Sequence, residues 1–318
     1  MTDIDAAASR IASVCIETPL LESPVLNARL GGRLLVKAEN LQVTGSFKLR
    51  GAYNRLAVLD ADERRRGVVA RSSGNHGLAI AYCCSLLGMH AVVVAPASAP
   101  NAKIQRIRGY GAEVILVDDP RELARVSDEI TRAQRRVFVP PADDPWVVAG
   151  AGTVGREIMH QAAAMGVVVG SLMVPCSGGG LTSGCALAAN ALSPATTIYA
   201  VEPIGFEKMA KSVALGHRVD NQPGGRTICD ALSGPYTAEV PFEIVRSRLA
   251  GGIGVSDDET KDAMRTAFAE FGLAVEPGGA VGLAAVMSGR FPIIGKTVAV
   301  ILSGRNVDPD LVAGILAA

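Results

Sequence analysis

An α/β fold on a mostly parallel sheet is what this sequence predicts, and three observations carry the prediction. Short β-branched runs alternate with helical segments along most of the chain. The strands read as near-continuous apolar runs, such as Val92-Val93-Val94. Gly- and Ser-rich loops stand where strands hand over to helices. Alternation of this kind implies right-handed βαβ units, and apolar strands without a polar face imply burial on both sides.

Taken in order, Arg33–Lys37 reads as a strand, followed by a loop and a helix starting near Ser46. Gly67–Arg71 is a second strand, then a Ser-Gly loop and a helix over Asn75–Leu87. Ala91–Ala95 is a third, the helix Ala102–Tyr110 follows, and Val114–Val117 is a fourth. Later come strand Ser171–Val174, helix Leu181–Ala191, and strands Thr197–Val201 and Thr297–Leu302. One helix start is legible to the residue. Ser256-Asp257-Asp258-Glu259 is a capping box, in which the serine and glutamate side chains satisfy each other's free backbone N–H groups, and Gly272 ends that helix.

Composition narrows the function. The 318 residues are 49% hydrophobic and 19% charged, enough apolar material for one large domain or two moderate ones. Lys plus Arg balance Asp plus Glu at 31 each, so no net field recruits nucleic acid or an anionic membrane. The run Arg64-Arg65-Arg66 follows Asp60, Asp62 and Glu63 and reads as a solvated helix face. No apolar run approaches the roughly 20 residues that span a bilayer. The acidic start Met1-Thr2-Asp3-Ile4-Asp5 does not look like a signal peptide. The six cysteines show no CxxC spacing and no clustering with the four histidines, which suits reduced thiols in the cytoplasm.

In open parallel sheets ligands bind at the carboxyl ends of strands, where loops meet helix N-termini. Three loops occupy such places: Thr44-Gly45-Ser46-Phe47-Lys48, Ser72-Ser73-Gly74-Asn75-His76-Gly77, and Cys176-Ser177-Gly178-Gly179-Gly180-Leu181. The third is a phosphate cradle in outline, because consecutive glycines let backbone N–H groups approach an anion at a positive dipole end. It is not a Walker loop, since no Gly-Lys-Ser/Thr follows. Its plain reading is a tight turn. Gly150-Ala151-Gly152-Thr153-Val154-Gly155 spells GxGxxG, but the segment before it, Pro140 to Trp146, is rich in turn residues, so nicotinamide binding is not expected.

Lys48 sits just inside a helix start, where a desolvated amine has a depressed pKa suited to imine chemistry and proton transfer. A phosphate cradle in the same chain makes a phosphorylated aldehyde a coherent cofactor. For Ser73 and Asn75, helix capping and ligand binding both stand. For His76 a structural place and a substrate contact both stand, and Cys176 reads as a small buried filler.

At this point the motifs become recognisable. Ser46-Phe47-Lys48-Leu49-Arg50-Gly51-Ala52 resembles the lysine motif of the threonine/serine dehydratase and serine racemase family, the fold type II pyridoxal-phosphate enzymes. Ser72 to Gly77 looks like that family's asparagine loop and Ser177 to Leu181 like its phosphate loop. Val201-Glu202-Pro203, Val275-Glu276-Pro277 and Ser303-Gly304-Arg305-Asn306 follow in the family's order. The likeness runs from about Thr18 to Asp308. It implies a tryptophan synthase β-like fold with two domains, each a mostly parallel sheet flanked by helices. Residues 1–56 and 145–318 would form the large one, 57–144 the small one.

The resemblance also implies roles. Lys48 would be the Schiff-base lysine for pyridoxal 5'-phosphate and the base for the α-proton, with Phe47 packed near the ring. Asn75 would bond the cofactor's phenolic oxygen, Gly178, Gly179, Gly180 and Leu181 its phosphate, and Ser303 its pyridine nitrogen. Ser72, Ser73, Asn75 and His76 would surround the substrate carboxylate. A serine at the ring nitrogen makes a weaker electron sink than an aspartate, which favours elimination over transamination. The implied activity is dehydration of a β-hydroxy amino acid such as threonine or serine to a 2-oxo acid and ammonia. Racemisation is the alternative, with Ser73 acting on the opposite face. An alternative of another class is a silent binder of a phosphorylated metabolite that has no need of Lys48.

Three departures bear on substrate and metal. Arg305 stands where relatives often have glycine, and points either into the pocket or out to solvent. Ala142 stands where relatives often have Phe or Asn and would enlarge the pocket. Together they leave room for 3-hydroxyaspartate or a hydroxyectoine-catabolism intermediate. Lys208 stands six residues after Glu202, where metal-activated relatives carry an acid, so no metal is expected. With the chain ending at Ala318, a regulatory domain is not expected. The expected partners are a small amino-acid substrate and a second copy of the chain.

Overall fold

The computed structural model of the chain describes residues 1–222 and 224–318. Among them ten strands form two sheets. The strands are β1 (Leu20–Glu22), β2 (Arg33–Lys37), β3 (Val68–Arg71), β4 (Ala91–Pro96), β5 (Glu113–Val117), β6 (Val137–Phe138), β7 (Ser171–Pro175), β8 (Thr197–Pro203), β9 (Leu249–Val255) and β10 (Thr297–Ile301). The larger sheet has the order β1-β2-β10-β7-β8-β9 and the smaller β5-β4-β3-β6. All pairings are parallel except β1 with β2. β10 is central to the site, since Val298 pairs with Leu34 on one side and Ser171 on the other.

Both faces of each sheet are covered, as apolar strands require. One face of the larger sheet packs under the helices Asp257–Phe271 and Pro277–Met287, through Met264, Ala267, Val281 and Leu283. The other carries the helices Pro145–Ala164 and Gly180–Leu192, through Val154, Ile158, Cys185 and Ala189. On the smaller sheet, Leu49, Ala52 and Leu56 of the helix Lys48–Ala57 join Val68, Ile80 and Val93 in one buried cluster. The helix Leu123–Ala133 covers the opposite face.

The helix over Asn75–Leu87 spans the expected residues and ends on Gly88 at φ 63°, a left-handed turn that glycine adopts without strain. The Ser256–Glu259 capping box is formed, and Gly272 closes that helix. The GxGxxG stretch lies inside the helix Pro145–Ala164, away from any strand end. Its glycines serve packing: a Cβ on Gly150 would lie 2.5 Å from Arg50 O, and one on Gly155 2.8 Å from Cys185 Cα. They let three helix backbones approach closely. No helix of the described residues is long and apolar enough to cross a membrane.

Three adjacent strands of the larger sheet, β2, β10 and β7, lead at their carboxyl ends to Lys48, Ser303 and the glycine loop. The loops after β3 and β6 bring Asn75 and Pro141 to the same place, as the following hydrogen bonds show.

Candidate active site

Lys48 is placed by a loop that the strand-β10 exit holds from behind. Phe47 N–H donates to Ser303 O at 3.1 Å, and Ser46 bridges Gly304. Gly45 has φ 79°, and a Cβ there would meet Asn306 Oδ1 at 2.7 Å. Lys48 then opens its helix half-buried, with Nζ donating to Pro141 O at 2.7 Å and lying 5.1 Å from the centre of the Phe47 ring. Among the described residues no carboxylate forms a salt bridge with it. Burial therefore dominates and pushes the amine down to about 8, against a smaller opposing pull from Glu276.

Asn75 stands at the first turn of its helix but caps nothing; the cap position is Gly74, without a side-chain bond. Its Nδ2 donates to Glu276 Oε1 at 2.6 Å, and its Oδ1 accepts from Asn306 Nδ2 at 2.6 Å. Asn306 also donates to Thr44 O. Glu276 is 3% exposed, and burial pushes its carboxyl up to about 7, against the Asn75 hydrogen bond. The sequence noted Glu276 and Asn306 only as motif letters; what makes them site residues is a contact across some 200 residues of chain. Ser72 Oγ accepts from Gly74 N–H at 3.1 Å and closes the turn. Ser73 lines a narrow cleft with Gly74, Leu78, Lys103, Arg106 and Asn306.

Two of the residues expected to meet substrate have partners of their own in the structure. His76 is buried, its Nε2 is 2.9 Å from Val139 O, and burial with the nearby Lys48 pushes it down to about 3. It is a neutral ring bound to backbone, the structural reading. Arg305 is exposed; its guanidinium donates to Asn40 O and its backbone N–H to Gly45 O. It takes the outward orientation, because a guanidinium without a buried partner is costly to desolvate. Ala142 has a packing contact as well. It is 5% exposed and packs on the glycine loop, 3.1 Å from a Cβ placed on Gly178. Its small size admits the loop's backbone.

The glycine loop behaves as a cradle. The helix Gly180–Leu192 begins on Gly179 at φ 93° with no side-chain cap, so its first N–H groups are left for another acceptor. A Cβ on Gly179 would lie 2.3 Å from Met209 Cε. Cys176, just before it, is a buried thiol pushed up to about 12, which is inert. Glu202, further out, accepts from Met209 and Ala210 N–H groups at 3.0 Å each. Lys208 lies buried beside it with no hydrogen-bond partner for Nζ among the described residues, and burial lowers its pKa. A separate open cleft among the described residues is lined by Arg218, Asp220, Tyr236 and Thr237 and holds none of the residues named so far.

An amine without a carboxylate partner, in a site that also holds an uncapped glycine cradle, fits pyridoxal phosphate, whose aldehyde needs the first and whose phosphate needs the second. Ser303, two residues past β10, is 6% exposed, and its hydroxyl has no hydrogen bond among the described residues. Thr44 Oγ1 and Ser46 Oγ, on the lysine loop, are buried without a hydrogen-bond partner among the described residues. A bound polar group would satisfy them.

Comparison with known proteins agrees. L-threonine ammonia-lyase of Thermotoga maritima is 38% identical over 99% of this chain and 78% of its own length. L-threo-3-hydroxyaspartate ammonia-lyase of Saccharomyces cerevisiae is 37% identical over 96% of this chain and 93% of its own. The solved structure of maize serine racemase superposes with a TM-score of 0.93 at 34% identity, covering 99% of this chain and 96% of that one. The two-sheet architecture is thus the fold type II arrangement that the motifs implied. The family model described as pyridoxal-phosphate dependent enzyme matches residues 11–304, and the chain belongs to that family.

Proposed function

We propose that this chain is an ammonia-lyase converting a β-hydroxy amino acid to a 2-oxo acid and ammonia. The observation that carries the reading is Lys48: an amine lowered to about 8, without a carboxylate partner, where the carboxyl ends of both sheets meet. The relatives named above, an ammonia-lyase for threonine and one for 3-hydroxyaspartate, support the reaction class.

Lys48 Nζ would hold the cofactor, Gly178 to Leu181 its phosphate, Phe47 one side of its ring and Ser303 its pyridine nitrogen. Bound there, pyridoxal phosphate supplies an electron sink that makes an amino acid's Cα–H acidic. Lys48 Nζ, titrating near 8, is then a base matched to neutral pH for that proton. Ser72, Ser73 and the uncapped start of the helix Asn75–Leu87 would take the substrate carboxylate. Asn75, steadied by Glu276 and Asn306, would face the cofactor's phenolic oxygen. Ser303, neutral, does not force a proton onto the ring nitrogen, which favours loss of the β-hydroxyl over transamination.

A silent metabolite binder would have no use for a lysine whose amine is lowered to about 8. Racemisation remains a second reading because Ser73 faces the cleft. The proposal includes two domains, residues 1–56 with 145–318 and residues 57–144, with sheet membership supporting the division. It also includes a cytoplasmic homodimer, the location supported by six free cysteines. The test is 2-oxo acid release from L-threonine, L-serine and L-threo-3-hydroxyaspartate, with chiral analysis of recovered substrate. The reading fails if no substrate reacts faster than with the cofactor alone.

A further inference from the structure

The cleft beside Ser73 carries a cation that nothing above uses. Arg106 belongs to the helix Asn101–Gly109, and its Nη1 donates to Asn306 Oδ1 at 2.9 Å. That acceptor is a neutral amide, and Arg106 forms no salt bridge among the described residues. The neighbouring cation is already spent, because Lys103 Nζ lies 2.9 Å from Asp230 Oδ2. The other carboxylate at this end of the site, Glu276, is turned to Asn75. Arg106 is thus held by one N–H at the mouth of a cleft, its remaining donors unpaired by any acid. The same Asn306 that holds it also holds Asn75.

We propose that Arg106 selects substrates whose side chain ends in a carboxylate, binding that second anionic group at the mouth of the Ser73 cleft. The inference rests on the amino-acid substrate assigned above. The uncapped helix start at Gly74 suits the α-carboxylate, which every amino acid carries, so it cannot discriminate among them. A guanidinium one element away recognises a feature that threonine and serine lack. Its planar fork matches a carboxylate geometrically. Arg305, which the sequence suggested for such a role, is committed to Asn40 on the outside.

The experiment compares kcat/KM for L-threo-3-hydroxyaspartate and L-threonine in full-length holoenzyme: wild type, Arg106→Gln and Arg106→Lys. Glutamine can still donate to Asn306 Oδ1 but has no charge, whereas lysine keeps the charge and loses the fork. The ratio of the acidic to the neutral substrate should fall about tenfold to a hundredfold in Arg106→Gln, the range of a charge-assisted hydrogen bond. In Arg106→Lys it should fall less. An unchanged ratio in Arg106→Gln, or equal proportional losses for both substrates, overturns the proposal. Binding of malonate against acetate, read from the cofactor's absorbance, needs no turnover. If malonate binds more tightly and loses that advantage in Arg106→Gln while no amino acid reacts, the inference stands and the ammonia-lyase reading falls. If wild type shows no malonate advantage, the inference falls whatever the turnover.

Discussion

Lys48 and Arg50 stand two residues apart in one helix, and their surroundings are opposite. Arg50 is fully buried and fully paired. It donates Nε and Nη2 to the two oxygens of Glu39 at 2.8 Å each, and Nη1 and Nη2 to Glu157 at 2.5 and 2.9 Å. Lys37 Nζ adds bonds to Glu157 and Thr18 O at 2.6 Å, and Thr18 Oγ1 donates to Glu39. Two cations meet two carboxylates, and the Arg50 partner holds Glu39 below the usual carboxylate range despite burial. At Lys48 the balance is reversed. The amine and the Glu276 carboxyl are both pushed toward neutrality, to about 8 and about 7. Saturated pairing fixes a charge and ties elements together; withheld pairing leaves a group that can exchange its proton.

The sharpest way to break this contrast is to remove each member in turn. Lys48→Ala should abolish turnover, a loss of at least about 10²–10⁴-fold for a missing proton-transfer group alone. It should also leave no borohydride-fixed cofactor on the chain and change urea stability little. Arg50→Ala should do the reverse in kind, destabilising by about 3–5 kcal/mol because Glu39 is left fully buried without its bonded guanidinium, Lys37 remaining as the partner of Glu157. A cofactor adduct mapped to another lysine, or an Arg50→Ala protein as stable as wild type, would undo the comparison.

A smaller effect should appear with Glu276→Gln. The Glu276 pKa is raised from 4.5 to about 7, so between those values the folded chain binds the proton more tightly than the unfolded one. Its contribution to stability therefore falls as pH rises through that window and is lowest above it. The shift from 4.5 to about 7 corresponds at most to about 3 kcal/mol. Glutamine removes this term, so the gap in urea stability between apo wild type and variant should open in the variant's favour from pH 5 to pH 8. A gap identical at both pH values would mean that Glu276 does not titrate there.

The smallest expected effect is that of a chelator. Glu202 spends both oxygens on backbone N–H groups, and Lys208 lies buried beside it. Turnover in excess chelator should stay within about twofold of the untreated enzyme, since a metal ion acting as a Lewis acid would contribute several kcal/mol and its loss would be plain. Loss of activity restored by magnesium or calcium would show a cation dependence that Lys208 does not replace.

Much of this was legible before any coordinates because it is local. The parallel core strands announce themselves by β-branched runs, and the capping box and Gly272 act within a few residues. The strands that escaped notice carry weak local signals: β1 and β6 are three and two residues long, and β9 contains Ala250, Gly251 and Gly252. Those glycines have little β-propensity and are held in place by pairing with β8.

The sequence by itself determined the order of βα units, the position of Lys48 at a helix start and the glycine cradle, because backbone stereochemistry and side-chain type act over one or two turns. Only the tertiary structure decided what each polar side chain faces. It turned Arg305 to Asn40, His76 to Val139 and Ala142 onto the glycine loop, and it joined Asn75 to Glu276 and Arg106 to Asn306. Those outcomes depend on which loops from two sheets share one space. The strength of a charge there depends on which partners that space supplies.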